Sequence, residues 1–148
     1  MKQLSTIIKV LLIGMLLSAG CCDNKFDGQE YIYIVNKSSV DIRCQLNWPK
    51  SIPTADTLYR CQKIPFKVQR DSIYLHPSGN WDRGLGWEYD FKSNPYIQFL
   101  IMDDTIHHQY FLEPCDTIRK YVPILHHYEL TLEDLQRMNW TVVYPPGE

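Results

Sequence analysis

Two histidine pairs, His107-His108 and His126-His127, and two acidic groupings, Asp103-Asp104 and Asp82 with Glu88, are the residues best suited to hold a metal or move protons. Neutral imidazoles are the commonest transition-metal ligands. Adjacent strand residues point to opposite faces, so each pair would offer only one ligand to a shared site, and no metal site is expected. Asp103-Asp104 reads as a turn between two strands. For glycosidase chemistry Asp82 and Glu88 would have to stand about 5 to 9 Å apart, a distance that nothing in their spacing specifies. His76-Pro77-Ser78 lacks the strand-turn-helix elbow of a serine nucleophile. Gly84 and Gly86 are followed by no expected helix start that would cradle a phosphate. The chain therefore reads as non-enzymatic and as needing no cofactor.

The stretch Trp81-Asp82-Arg83-Gly84-Leu85-Gly86-Trp87-Glu88-Tyr89 carries the chemistry of recognition. Its rings suit the C–H faces of sugars, and Asp82, Arg83 and Glu88 could fix hydroxyls. The same types concentrate energy at protein interfaces. The alternative is that Trp81 and Trp87 fold inward and plug one end of the domain, as Trp48 is expected to do. Among the cysteines, Cys44 and Cys61 would close a short loop between neighbouring extended segments in an oxidising compartment. Their alternative is to remain buried thiols acting as small apolar residues. No two cysteines have the C-x-x-C spacing of a redox or zinc site.

Strands are expected to position these residues. Tyr31 to Val35 and the alternating Val40 to Leu46, joined by the turn Asn36-Lys37-Ser38-Ser39, read as a β-hairpin. A second extended region runs from Ile64 to Leu75, with Pro65 marking an edge, and Trp81 to Tyr89 reads as a structured loop. Tyr96 to Met102 has strand length, and Thr105 to Leu112 is expected to return as its partner arm. Thr117 to Tyr128 suggests one or two short strands. One helix is expected over Leu132 to Met138, led by Thr131 and the acidic Glu133-Asp134, before a closing strand from Trp140 to Tyr144. The pattern predicts an all-β domain over residues 31–148: an antiparallel immunoglobulin-like sandwich of about seven short strands with one short C-terminal helix. A small β-barrel is the alternative. Of the 148 residues 45% are hydrophobic and 13% aromatic, which excludes wholesale disorder.

The N-terminus combines Lys2 and Lys9 with an apolar run from Val10 to Leu17, too short for a bilayer that needs about 20 residues, and ends Leu17-Ser18-Ala19-Gly20-Cys21. That is the pattern of a removed secretory signal over residues 1–20. Its ending resembles the bacterial lipobox, in which signal peptidase II cuts before a cysteine bearing a diacylglyceryl thioether; Cys21 matches that cysteine. Two or three acyl chains give a stable anchor, with residues 21–30 as a flexible tether. Cleavage removes two lysines and no acid, taking the net charge from -2 to -4. Without a clustered basic footprint, nucleic acid is not an expected partner.

Four times an aspartate precedes Ser or Thr and then an aliphatic residue, at Asp56-Thr57-Leu58, Asp71-Ser72-Ile73, Asp104-Thr105-Ile106 and Asp116-Thr117-Ile118. Asp favours turns and β-branched residues start strands, which is one account of the repeat. The tripeptide also resembles the acceptor motif of general protein O-glycosylation in Bacteroidetes, making Thr57, Ser72, Thr105 and Thr117 candidate sites. The ending from Tyr128 to Pro145, a short helix followed by an Asn-Trp-x-x-x-Tyr-Pro strand, resembles small Bacteroidetes lipoproteins. The resemblance implies a lipid-anchored protein of the bacterial outer membrane and implies no reaction. Its expected partners are the membrane, through the anchor, and an envelope protein or glycan; a glycan-uptake accessory role rests on residues 81–89, and a periplasmic hydrolase is disfavoured.

Overall fold

The computed structural model describes residues 28–49, 61 and 63–147. The expected leader over residues 1–20, the expected lipidation site Cys21 and the candidate glycosylation site Thr57 lie outside them. Seven strands form two sheets: β1 (Tyr31–Asn36), β2 (Ile42–Asn47), β3 (Phe66–Val68), β4 (Ser72–Pro77), β5 (Ile97–Asp103), β6 (Ile124–Leu130) and β7 (Thr141–Tyr144). Sheet 1 has the order β4-β1-β7 and sheet 2 the order β3-β2-β5-β6. Their inner faces share one core, with Ile32, Ile34 and Val142 from sheet 1 and Ile42, Cys44, Phe99 and Ile101 from sheet 2. The arrangement is sandwich-like, and the described strands do not close into a barrel.

Four helices join the strands: α1 (Trp87–Phe91), α2 (Asp104–Tyr110), α3 (Cys115–Tyr121) and α4 (Leu132–Arg137). The expectation of a single helix holds only for α4, where Thr131 and Asp134 form a reciprocal capping box. Thr105 to Leu112 is not a partner arm. The Asp103 side chain accepts the Ile106 amide and starts α2, and Ile106 and Tyr110, one turn apart, pack on the outer face of sheet 2. Residues 117–121 belong to α3, and of the stretch from Thr117 to Tyr128 only the β6 part is a strand, pairing antiparallel with β5. Thus β5 is buried on both sides, with Phe99 toward sheet 1 and Leu100 and Met102 toward Ile118 and Val122. An unbroken apolar run follows from that double burial.

Two further expectations are corrected. β1 and β2 are not a hairpin, since they belong to different sheets. Asn36, fully buried, turns the chain between them by donating to the carbonyls of Val40 at 2.8 Å and Val68 at 3.2 Å. Nor is the sandwich wholly antiparallel, because β7 runs parallel to β1 with Tyr33 opposite Thr141. The disulfide joins Cys61 to Cys115, with Cα atoms 5.6 Å apart, and not to Cys44. Cys44 faces the inner core as a free thiol, whereas Cys61 packs on the opposite side of sheet 2 with the α2–α3 pair.

Candidate functional site

The aromatic stretch is folded, not looped. Trp81–Arg83 forms a 3-10 turn, and a helix start follows Gly86 after all. Trp81, Asp82, Arg83 and Tyr89 are exposed, with the Lys92 ammonium 4.9 Å from the Tyr89 ring centroid. Trp87 is buried, 6.0 Å from Trp48 and 5.9 Å from His76 between ring centroids. The two indoles therefore form no common platform, and the sugar-stacking surface expected of Trp81 with Trp87 is not present. Trp48 completes the plug at 5.6 Å from Phe91.

Glu88 is engaged structurally. Its carboxylate accepts the Gln29 amide at 2.7 Å, and the Trp87 amide donates to the Gln29 carbonyl at 2.9 Å. A Cβ at Gly86 would meet the Gln29 nitrogen and the Gly28 carbonyl carbon at 2.6 Å, so only glycine permits this approach. Asp82 is exposed on the 3-10 turn, whereas Glu88 is half-buried and committed to the Gln29 amide. The Ser78 hydroxyl donates to the Leu85 carbonyl at 2.6 Å.

A recess of about 270 Å³ opens beside β2, β3 and β4, lined by Gln45, Leu46, Lys63, Ile64, Phe66 and His76. His76 stacks on Phe66 at 4.8 Å, and Phe66 stacks on Tyr74 at 4.5 Å. Burial, with the Lys63 ammonium adding to it, pushes the imidazole down to about 4, so it is neutral at pH 7. Its buried Nδ1 and the Trp87 Nε1 have no hydrogen-bond partner among the described residues. Leu46, Ile64 and Phe66 make the lining of this recess largely apolar, and the Gln45 and Lys63 side chains in it donate to the carbonyls of Lys63 and Leu46. The sequence signal was weak, because β4 alternates Ile73 and Leu75 with Tyr74 and His76 and so is apolar in both registers.

The remaining candidate groups lie apart. Asp104 is held by Arg43 and by Lys67, the latter at 2.7 Å, and Lys67 also reaches Asp41 at 2.7 Å. Burial raises the Asp104 carboxyl, and hydrogen bonds from Lys67 and Arg43 outweigh it, leaving a lowered value. This network fastens the start of α2 to β2 and β3. His107 is buried on α2 and His108 stacks on Phe111. His126 packs edge-on against Tyr128 at 4.3 Å. No group of three or more metal-ligating side chains occurs among the described residues.

Comparison with known proteins finds no matching family model, curated protein or solved structure. The reading therefore rests on the residues themselves. Ser72, half-buried at the start of β4, donates to the Gln69 carbonyl at 2.6 Å, while Thr105 is exposed and Thr117 half-buried in the first turns of α2 and α3. The tripeptide thus opens a strand once and a helix twice, with Ile106 and Ile118 as its inward residues.

Proposed function

We propose that this chain is a lipid-anchored lipoprotein of the bacterial outer membrane, attached through Cys21, whose domain is a non-enzymatic binding or assembly module. One observation carries the reading: the basic start, short apolar run and small-small-cysteine ending of residues 1–21. It gains support from the Cys61–Cys115 disulfide, which suits an oxidising compartment outside the cytoplasm. We take the two sheets as immunoglobulin-like, a reading supported by their shared core and seven short strands. The binding surface we assign comprises Trp81, Arg83 and Tyr89, whose exposure suits a protein partner. Intact mass spectrometry of protein purified from a membrane fraction tests the anchor. The wild type should lack residues 1–20 and carry acyl mass, and Cys21→Ala should carry none; an unacylated wild type would refute the reading.

A further inference from the structure

Sheet 1 is apolar on both sides. Its outward side presents Tyr31, Tyr33 and Val35 from β1, Ile73, Leu75 and Pro77 from β4, and Thr141 and Val143 from β7. The register sets Tyr33 beside Leu75 and Val35 between Ile73 and Val143. Ile73 is 59% and Leu75 46% exposed. A sheet with one solvated face ordinarily alternates apolar with polar residues, yet none of these eight side chains is charged, the Glu30 carboxylate meeting the face only at the Tyr31 hydroxyl. The outer face of sheet 2, by contrast, is covered by the α2–α3 pair.

We propose that this outward face lies on the surface of the bilayer that holds Cys21, and so sets the orientation of the domain. The inference rests on the anchor reading above. Three observations select a lipid surface as the occupant. The chain from Cys21 to Gly28 can span no more than about 25 Å at 3.3–3.6 Å per residue, and Gly28 and Gln29 are fixed against Gly86 and Glu88 directly before β1. The anchor therefore keeps Tyr31 and the rest of the face within reach of the membrane. Second, three strands about 4.8 Å apart and about 20 Å long give a footprint of roughly 300 Å², well under the ~800 Å² per partner of a stable dimer. A patch this small is occupied when its counterpart is already held at high local concentration, as an anchor ensures. Third, tyrosines among aliphatic residues suit the boundary between headgroups and acyl chains, and a face without basic residues, with the Glu30 carboxylate at the Tyr31 hydroxyl, needs no anionic lipid.

Hydroxyl-radical footprinting of the full lipidated protein in phosphatidylcholine vesicles tests this, with intact mass recorded on the same sample. Labelling of Tyr33 and Leu75 should fall at least threefold relative to Cys21→Ala mixed with the same vesicles. Trp81 and Phe111 should label equally in both, and 0.5 M salt should change nothing. The double variant Ile73→Lys, Leu75→Lys should remain vesicle-bound and regain labelling at Tyr33. Acylated protein without protection would overturn the orientation and leave the anchor standing, whereas absence of acyl mass would overturn both. Equal protection in Cys21→Ala at the mass of a dimer would assign the face to a second copy and overturn the proposal, as would equal protection of Trp81.

Discussion

The Glu88 carboxylate receives the backbone amide of Gln29 at 2.7 Å, so a side chain on α1 grips the chain just before the first strand. With Trp87 N–H on the Gln29 carbonyl, the contact makes a short clasp in which Gly86 lies under the backbone of residues 28 and 29. The entry of the chain into the domain is thereby a fixed point.

Gly86→Ala should break that clasp, because its methyl would require main-chain atoms to move. Hydrogen exchange should show faster exchange at Gln29 and Trp87, with a stability loss of about 1–3 kcal/mol. Unchanged exchange at both amides would refute the clasp.

His76 predicts an acid-sensitive step. Its native value of about 4 lies below the ordinary 6.5, so between these values the unfolded chain binds the proton more readily. Stability should rise with pH across that window and fall as pH drops from 6.5 to 4, by up to about 3 kcal/mol. Urea denaturation of the wild type and His76→Phe at both pH values measures the step. An equal slope in the variant would assign it elsewhere.

Asp104 predicts a second step at lower pH. Its carboxyl value is lowered in the fold, so its contribution is complete above about pH 4 and is lost as the pH falls through the native value. Asp104→Asn should cost about 1–3 kcal/mol at pH 7, since Arg43 and Lys67 lose a partner. The cost should shrink as the pH falls below the ordinary carboxylate value and the native carboxyl takes up its proton; a cost independent of pH would refute the step.

The disulfide should matter more than any surface contact. Cys61 and Cys115 are separated by 54 positions, and closing such a loop restricts the unfolded chain by about 4 kcal/mol in the entropy model. The double variant Cys61→Ser, Cys115→Ser should lose about 2–4 kcal/mol in denaturant unfolding. Cys44→Ala should leave thiol-reagent reactivity of the folded protein unchanged, since that thiol is fully buried.

Trp81 and Trp87 should behave oppositely. Trp87→Ala should cost about 3–5 kcal/mol through the cavity it leaves, whereas Trp81→Ala should stay within about 0.5 kcal/mol and weaken only partner binding. Thermal unfolding of the two variants separates them, and equal losses would refute the division.

Legibility in the sequence followed the range of the forces. The α4 cap was readable because Thr131 and Asp134 act on each other across one turn. Strand existence was readable from β-branched and aromatic runs, but partners were not, because β1 pairs with distant β4 and β7 instead of nearby β2. Thr105 to Tyr110 is rich in strand-favouring residues and folds as a helix because Ile106 and Tyr110 find a place on sheet 2. The inward plug expected of both Trp81 and Trp87 holds for Trp87 alone, since Gly86 lying against Gln29 seats that indole while Trp81 stays exposed on the 3-10 turn. The recess at His76 joins residues from three strands, and no local spacing reports such a meeting.

The parallel pairing of β1 with β7 sets an order of events during synthesis of the chain. The first strand to emerge acquires one of its two neighbours only when nearly the whole domain has followed it. Until Thr141–Tyr144 arrives, one edge of β1 is open, and the inner core lacks Val142 and Trp140. Such distant pairing slows folding and leaves strand edges available to other chains in the meantime. A nascent chain of this protein is therefore most exposed to misassociation before β7 is made, and the pairing of Thr141–Tyr144 with β1 ends that interval.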